Sequence, residues 1–431
     1  MNQIGKYEII RQIGKGATSA VFLARDPFSD RQVAVKVVYP EVLGDKEYGR
    51  RYRKLFVTEA SLAGMLSHPH IVAIYDAAVE GNISYIVMEY VAGGTLERHT
   101  CVDRLLPMNK VLEIAFKCCK SLDYAYRSGV IHRDIKPANI LLTESGDIKI
   151  SDFGAALVNS AESTQVSGVG SPAYMSPQQL KEQPLTHQTD IFALGVVLYQ
   201  LFTGHLPFKG ANKYAMIYQI IHNTPAPPST HRPEIPKRLD EIVLKALAKN
   251  LDERYQTWDD FARDLADAFG ELRRVEAPIP DMEKFYTLRR LKFFKAFTDV
   301  ELWEVVRIGT WARRPADTVL IREGEGGTTL YVVASGEVTV TKNKALLATL
   351  GAGDSFGEMG HLAKHEFRRS ASVTAVTDVT VLEVGAASLA EASEGCRNRF
   401  TAVFLETLVD RLSAANDRVA ESLADRDVLL L

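Results

Sequence analysis

The first ninety residues alternate between short apolar runs and breaks that contain glycine. The segments YEIIRQIGKG (7–16), AVFLARD (20–26) and QVAVKVV (32–38) follow one another closely, and ISYIVMEYV (83–91) has the same character. Short runs rich in valine, isoleucine and tyrosine between turn residues are typical of β-strands. This region therefore predicts a series of β-strands.

From about residue 109 the spacing of apolar residues changes to three and four. NKVLEIAFKCCKSLDYAYRSG (109–129) predicts an amphipathic helix that stops at Gly129. IFALGVVLYQLFTG (191–204) is apolar almost all round, so it predicts a buried central helix. Strands followed by helices indicate an α+β domain with a smaller β-rich lobe and a larger helical lobe.

A second pattern begins after RRVEAPIPDME (273–283), where two prolines lie among charges. This stretch predicts a linker. A helix is expected over 285–306, then a small β-roll, because short strands follow one another with glycine breaks. The strand segments are 318–327, 330–340, 345–358 and 370–384. Apolar residues at 400, 403, 404, 408 and 412 predict an amphipathic helix to about residue 421.

The pattern thus divides the chain into a domain at 1–270, a linker at 271–285 and a domain at 286–425 with its C-terminal helix. A chain of 431 residues has room for two or three domains. The net charge of −3 gives no overall attraction to nucleic acid or to anionic membrane. No apolar run reaches the roughly 20 residues of a membrane helix, and the N-terminus does not resemble a secretory signal. We expect a cytoplasmic protein with no nucleic-acid or membrane partner.

The four cysteines, Cys101, Cys118, Cys119 and Cys396, match no metal-site or disulfide spacing. We expect them to be buried or half-buried thiols.

Two features of the first strands suit a phosphate ligand. Gly14 and Gly16 form a turn in GKGATSAV, where backbone N–H groups can approach a phosphate closely. Glycine turns between strands are also common without a ligand. Lys36 lies in an apolar strand, either as a surface residue with a buried stem or as a phosphate ligand. Glu59 is the carboxylate that could pair with it, or else part of a solvated helix face.

The segment HRDIKPANI places Asp134, Lys136 and Asn139 on one short loop. Phosphoryl transfer needs a carboxylate for the attacking hydroxyl, oxygen ligands for Mg²⁺ and a cation near the transferred group. These three side chains suit those needs. Asp152 in SDFG, thirteen residues after Asn139, adds a second hard oxygen ligand.

These motifs together resemble the catalytic domain of the eukaryotic-type Ser/Thr protein kinases, as found in bacteria, over residues 7–270. The resemblance implies ATP with Mg²⁺ or Mn²⁺, and a protein Ser or Thr hydroxyl as the substrate, since Lys136 is the Ser/Thr-kinase form of the loop. It also implies a role for each residue. Lys36 holds the α- and β-phosphates and pairs with Glu59, and Lys136 contacts the γ-phosphate. Asp134 is the base, and Asn139 and Asp152 hold the metal. The adenine lies next to the hinge Glu89–Val91, with Met88 behind it, and is enclosed by Ile13, Val21, Ala34 and Leu141.

Two positions depart from the family pattern. Ser19 replaces a third glycine of the phosphate loop. Gln178 replaces a glutamate that normally pairs with an arginine, here matched by Arg254. An Arg–Gln hydrogen bond would lack an anionic acceptor, so we expect a looser activation segment and a working enzyme.

The activation loop NSAESTQVSGVGS offers three hydroxyl residues, Ser163, Thr164 and Ser167. Arg133 precedes Asp134, and in the family such an arginine lacks a partner until a phosphate reaches this loop. We expect autophosphorylation at one or more of the three residues. The alternative is a polar loop whose hydroxyls have no such role.

The stretch FGEMGHLAKHEFRRSASV, within 286–400, resembles the phosphate-binding cassette of a cyclic-nucleotide-binding domain. The resemblance implies that Glu358 bonds the ribose, that Arg369 binds the cyclic phosphate, and that Gly357 and Ser370 assist. Its loop is longer than expected, and Arg368 is a rival for the role of Arg369. Either cAMP or cGMP fits this reading, and the alternative is a β-roll that docks partners without a ligand.

The sequence therefore predicts a Ser/Thr protein kinase that phosphorylates itself and protein substrates and is regulated by a cyclic nucleotide. In the family the C-terminal helix serves as a lid or a dimer contact, so a homodimer is among the expected partners. The alternative is a weakly active scaffold whose second domain docks partners.

Overall fold

The computed structural model describes residues 3–16, 19–39, 65–80, 83–153, 157–158, 172–272, 279–343, 345–358 and 368–428. The chain forms two compact units, residues 1–277 and 278–431. Helices at Trp258–Leu272 and Asp281–Arg290 extend into the predicted linker from either side. The domain limits drawn from the sequence stay a prediction.

The first unit begins with a six-stranded antiparallel sheet in the order β1-β2-β3-β4-β6-β5. Its fifth strand, Ile74–Glu80, was not foreseen because its sequence IYDAAVE is less apolar. The strands are β1 Gln3–Ile4, β2 Tyr7–Lys15, β3 Ser19–Arg25, β4 Gln32–Val38, β5 Ile74–Glu80 and β6 Ile83–Glu89.

Strand β4 carries side chains to both faces of this sheet, because successive residues of a strand point in opposite directions. Val33, Val35 and Val37 belong to an apolar cluster with Tyr7 and Tyr85. Ala34 and Val38 belong to a second cluster, which includes Ile86 and Met88. Lys36 alternates with the valines and therefore shares the face of Ala34 and Val38.

The rest of the first unit is mostly helical, as predicted. The helix His187–Thr203 (α3) is buried along nearly its whole length and ends at Gly204, whose φ of 75° is accessible to glycine without strain. The helices are α1 Met108–Arg127, α2 Pro177–Leu180, α3 His187–Thr203, α4 Lys213–His222, α5 Lys237–Ala246 and α6 Trp258–Leu272. Two short ribbons pair β7 Val130–Ile131 with β10 Leu157–Val158, and β8 Ile140–Leu142 with β9 Ile148–Ile150.

The cysteines differ from expectation at one position. Cys101 is exposed, because it begins a short turn on the surface, whereas the other three are buried. Burial raises the pKa of Cys118 and of Cys396 to about 12, so both are inert thiols at neutral pH.

The second unit contains two four-stranded sheets, β11-β18-β13-β16 and β12-β17-β14-β15. They enclose an apolar core that includes Val333, Val338, Val373 and Val381. The strands are β11 Thr310–Arg314, β12 Val319–Ile321, β13 Leu330–Ser335, β14 Val338–Lys342, β15 Ala345–Leu350, β16 Ser355–Phe356, β17 Ser372–Ala375 and β18 Val379–Val384. This agrees with the β-roll predicted from the glycine-separated strands.

The helices of the second unit differ in length from the prediction. The helix expected over 285–306 is divided into α7 Asp281–Arg290, a 3₁₀ turn Lys292–Phe294 and α8 Asp299–Ile308. Thr298 and Glu301 form a capping box that begins α8, which explains the break. A short helix, α9 Ala386–Ala390, precedes α10, which runs Glu394–Val428 and exceeds the predicted 400–421.

Among the described residues, no helix has both the length and the apolar character that a bilayer span requires.

Candidate functional site

The loop that carries the predicted catalytic residues is fixed by a buried carboxylate. Asp190, in the first turn of α3, accepts hydrogen bonds from the backbone N–H groups of His132 (2.8 Å) and Arg133 (2.7 Å). Arg133 has a φ of 69°, an uncommon conformation for a side chain-bearing residue. Burial raises the pKa of Asp190, and the two N–H donors offset part of that effect. This carboxylate thus holds the loop in a strained shape.

His132 links this loop to the segment that contains Asp152. Its Nε2 lies 2.9 Å from the carbonyl of Ser151, and its Nδ1 accepts from the backbone N–H of Asp134 at 3.2 Å. A neutral ring protonated on Nε2 satisfies both contacts. The ring also packs on Phe153, with 4.5 Å between centroids. The two loops are therefore positioned together.

The Asp134 carboxylate lies at the centre of a small polar cluster. Its Oδ2 is 2.7 Å from Lys136 Nζ and accepts from Asn139 Nδ2 at 3.0 Å. Asn139 also donates to the Asp134 carbonyl at 2.8 Å. Because the side chain of Asp134 is 39% exposed, a substrate hydroxyl can reach this carboxylate.

Lys36 and Asp152 meet although 116 residues separate them in the sequence. Lys36 Nζ lies 2.7 Å from Asp152 Oδ1. The lysine charge holds the pKa of Asp152 below its ordinary value, so this carboxylate is ionised and suited to a cation. Asp152 has a φ of 62°, so its backbone, like that of Arg133, is in the uncommon left-handed region. Glu59 and Gly154 lie outside the described residues.

The residues predicted to enclose adenine meet in one apolar cluster. Val21, Val91 and Leu141 pack against buried Ala34 and Met88.

Ile13 is more open than these residues, at 36% exposure. The Glu89 carboxylate pairs with Lys149 at 2.9 Å, so only the backbone of Glu89 remains for a hinge role. In the glycine turn, Gly14 on β2 lies opposite Val21 on β3, and the N–H of Gly16 donates to the carbonyl of Ser19 at 2.8 Å.

The substituted position Gln178 does contact Arg254, as predicted. Arg254 donates to Gln178 Oε1 at 3.2 Å and also to the carbonyls of Ala248 and Gln188. Burial lowers the pKa of Arg254 to about 10. The neutral amide therefore leaves a buried guanidinium without an anionic partner among these contacts.

Arg133 is half-buried, and its Nε makes no hydrogen bond among the described residues. Burial lowers its pKa, which indicates a cation that an incoming anion would stabilise. The three predicted phosphorylation sites, Ser163, Thr164 and Ser167, lie outside the described residues.

In the second unit, Arg369 is the buried arginine of the predicted cassette. It is 7% exposed and donates to the carbonyls of Gly357 (3.1 Å) and Thr329 (2.8 Å). Gly357 has a φ of 84°, and a Cβ there would lie 2.7 Å from this guanidinium. Arg368 is exposed and 3.4 Å from the carbonyl of Gly324. The geometry therefore favours Arg369 over Arg368 as the residue of a pocket.

Glu358 is also buried, at 3% exposure, but its partner was not foreseen. Arg411, on α10, places its guanidinium 2.7 Å from Glu358 Oε1 and donates to the carbonyl of Ser355. The other oxygen, Oε2, has no hydrogen-bond partner among the described residues. Ser370 is exposed.

Sequence reasoning missed Asp190, Lys149 and Arg411 for different reasons. An acidic residue directly before the apolar run of α3 was a signal for Asp190, since such a residue is buried only with partners. For Lys149 and Arg411 the sequence contains no comparable signal, because their partners are distant in the chain.

Comparison with known proteins agrees with this geometry. The family model "Protein kinase domain" matches residues 7–264, and "Cyclic nucleotide-binding domain" matches residues 312–395. The chain is 39% identical to serine/threonine-protein kinase PknB of Mycolicibacterium smegmatis, over 65% of this chain and 45% of the relative. It is 40% identical to serine/threonine-protein kinase PrkC of Bacillus subtilis, over 62% of this chain and 41% of the relative.

The chain thus spans less than half the length of these two relatives. The kinase model covers more than half of the present chain. The chain therefore belongs to the protein kinase domain family and carries, after its kinase domain, a cyclic nucleotide-binding domain.

Proposed function

We propose that the protein is a Ser/Thr protein kinase that transfers the γ-phosphate of ATP to protein hydroxyls, including its own. The observation that carries this proposal is the carboxylate of Asp134 held by Lys136 and Asn139, with the Lys36–Asp152 pair on the adjoining loop. Similarity to relatives named as serine/threonine kinases supports the choice of acceptor.

In this proposal, Asp134 orients the substrate hydroxyl and accepts its proton as the oxygen attacks the γ-phosphorus. The bond from the γ-phosphorus to the bridging oxygen breaks, and ADP leaves. Lys136, 2.7 Å from Asp134, is placed to stabilise charge on the transferred group. Lys36 binds the α- and β-phosphates once it exchanges its contact with Asp152 for the nucleotide.

Mg²⁺, or Mn²⁺ in its place, would neutralise charge on the phosphates. The donor set fits a hard cation. Asp152 would supply an ionised carboxylate, and Asn139, whose amide nitrogen bonds Asp134, would supply its amide oxygen. Adenine would lie against the Val21–Ala34–Leu141 surface, next to the hinge at Glu89–Val91.

Regulation by a cyclic nucleotide, cAMP or cGMP, is the second part of the proposal. Arg369 is fixed by two carbonyls, and a guanidinium has five N–H donors, so donors remain for a cyclic phosphate. Glu358 would bond the ribose 2′-hydroxyl, with Gly357 and Ser370 beside it. Buried charged groups need partners, and the cyclic phosphate and the ribose would add to those that Arg369 and Glu358 already have.

The contact between Arg411 and Glu358 connects this pocket to helix α10. A ribose hydroxyl that donates to the unpartnered Oε2 would share this carboxylate with Arg411 on Oε1 and so alter the strength of the Arg411 contact. Ligand binding would then change how α10 is held. This gives the second unit a two-state element through which kinase activity in a cytoplasmic protein can be regulated.

The kinase proposal is tested by γ-phosphate incorporation into the protein and into a basic protein substrate with Mg²⁺ and ATP. Phosphoserine or phosphothreonine is expected in both, and Lys36→Met should abolish the labelling while the fold remains. Labelling of Lys36→Met at the wild-type rate would contradict the role of Lys36. Absence of any labelling in the wild-type protein would favour the scaffold alternative.

The regulatory proposal is tested by calorimetry with cAMP and with cGMP. Loss of a charge-assisted hydrogen bond in Arg369→Ala should weaken binding by about ten- to a hundredfold. Arg368→Ala removes the same charge from the exposed neighbour and should bind like the wild type. No binding of either nucleotide to the wild-type protein at millimolar concentration would favour a docking domain without a ligand.

A further inference from the structure

Glu89 is the last residue of β6 and the first residue of the hinge, and its carboxylate is held from two sides. Lys149 Nζ lies 2.9 Å from Glu89 Oε2, and the backbone N–H of Ala73 donates to the same oxygen at 3.3 Å. The N–H of Glu89 also donates to the carbonyl of Ala73, at 2.8 Å. The first residue of the hinge is therefore tied to β9 by a lysine side chain.

Lys149 belongs to the ribbon that supplies the floor of the proposed adenine site. Lys149 on β9 lies directly opposite Leu141 on β8. Leu141 packs against the cluster that contains Ala34 and Met88. Residues opposite each other on paired strands share one face of the sheet. The lysine therefore stands beside the floor of the site and connects this floor to the hinge.

The other end of the hinge is joined to the same ribbon by backbone contacts. The N–H of Leu142 donates to the carbonyl of Gly94 at 2.8 Å, and Thr95 forms a bridge with Leu141. A Cβ at Gly93 would lie 2.2 Å from the carbonyl of Leu142, so the two backbones are very close there. At the Glu89 end, the polar link to the ribbon is the side chain of Lys149.

The burial of this ion pair makes the lysine important for the position of Glu89. The two side chains are 17% (Lys149) and 26% (Glu89) exposed, so salt screens the pair less than a surface pair. Without the lysine, the carboxylate would keep one backbone N–H as its partner, which is costly for a charge so far from water. The carboxylate would then turn outward, and the hinge backbone that carries it would move relative to β9.

A purine is recognised by its face and by its edge, and the two surfaces that contact them must keep a fixed separation. The edge of adenine carries an amino group that donates, whereas guanine carries an oxygen that accepts at the same position. Hydrogen bonds from a hinge backbone to this edge weaken steeply when their distance or angle changes. A hinge that moves relative to Leu141 would therefore lose the fit to adenine.

We propose that Lys149 is a positioning residue for the purine of the nucleotide. Through Glu89 it fixes the hinge relative to Leu141 and thereby sets the affinity for ATP and the selectivity for ATP over GTP. The role depends on the ATP site proposed above. Because the base is bound equally before and during phosphoryl transfer, loss of Lys149 changes KM for ATP and leaves kcat unchanged.

Calorimetry of the full chain with Mg²⁺ and non-hydrolysable analogues of ATP and GTP tests this role. Lys149→Met should weaken binding of the ATP analogue by about tenfold, the scale of one charge-assisted hydrogen bond. Binding of the GTP analogue should change by less than about twofold, because guanine has no matched edge contacts to lose. With saturating ATP, kcat should stay within about twofold of the wild type.

Two further variants separate the ion pair from a general effect on folding. Glu89→Gln keeps the size of the side chain and an oxygen for the N–H of Ala73, so the fold should persist, and it should weaken ATP-analogue binding like Lys149→Met. The double variant should lose no more than either single variant, because both remove the same contact. Lys149→Arg keeps the cation and should restore most of the affinity.

Lys120→Met is the matched control. Lys120 Nζ lies 2.6 Å from Asp259, and this buried lysine joins α1 to α6 and not to the hinge. The variant should lower the unfolding temperature and leave both analogue affinities unchanged. Equal losses for the ATP and GTP analogues in Lys149→Met, an unchanged ATP affinity there, or the same loss in Lys120→Met would overturn the proposal. Since binding is measured without turnover, a protein that shows the expected selectivity but transfers no phosphate would contradict the kinase proposal alone.

Discussion

The contact between Arg411 and Glu358 should contribute measurably to the stability of the second unit. The two charges are 2.7 Å apart, and Glu358 is 3% exposed on its side chain whereas Arg411 is 38% exposed. With an effective dielectric constant of about 20, their gross attraction is about 6 kcal/mol. Desolvation of the carboxylate and the exposed side of Arg411 remove much of this, which leaves a coupling of about 1–3 kcal/mol.

A double-mutant cycle of Arg411→Ala and Glu358→Gln measures that coupling by urea unfolding. Trp303 and Trp311 both lie in the second unit, so a Trp258→Phe background makes tryptophan emission report on that unit alone. Arg411→Ala should be the more costly single change, because it leaves a buried carboxylate without its cation. A coupling below about 0.5 kcal/mol would refute the assignment of α10 to the pocket through this pair.

Three further results are expected. Mass spectrometry after incubation with ATP should find phosphate on Ser163, Thr164 or Ser167, and alanine at all three should lower activity toward an added substrate; unchanged activity would indicate that the loop needs no phosphate. Gln178→Glu should raise the unfolding temperature by about 2–4 °C, since it supplies the charge that the buried arginine lacks; a lower midpoint would show that burying the carboxylate costs more. Burial lowers the pKa of Lys249 from 10.5 to about 7, so the unfolded chain binds an extra proton above pH 7 and stability rises with pH in that window. The stabilisation given by Lys249→Met should therefore be larger at pH 6.5 than at pH 9 in thermal unfolding, and an equal effect at both would exclude this titration.

The sequence predicted the first unit well where a local pattern determines which way a side chain points or which residues share a loop. The alternation in QVAVKVV correctly places Lys36 on the same face as Ala34. The predicted partner of Lys36 was Glu59, which lies outside the described residues, whereas the contact with Asp152 across 116 residues was not predicted. The motif also anticipated that Asp134, Lys136 and Asn139 lie close together on one short loop. Local patterns of this kind are sufficient because the loop is short and its partners are its neighbours.

The contacts that hold the two sites in place were beyond such patterns. Asp190 reaches His132 across 58 residues, and Arg411 reaches Glu358 across 53. An arginine on a helix resembles any solvated charge until its neighbours in space are known. The length of α10 was underestimated because the apolar spacing was read only at residues 400–412, whereas the helix runs Glu394–Val428.

The most direct test of the account is the turnover of Asp134→Asn with Mg²⁺, ATP and a protein substrate. Asp103→Asn, an exposed position in the same unit, serves as the control and should behave like the wild type. The account predicts that Asp134→Asn lowers turnover by about 10²–10⁴, the contribution of a positioned proton acceptor. Turnover within about threefold of the wild type would contradict the assignment of the catalytic site to this loop.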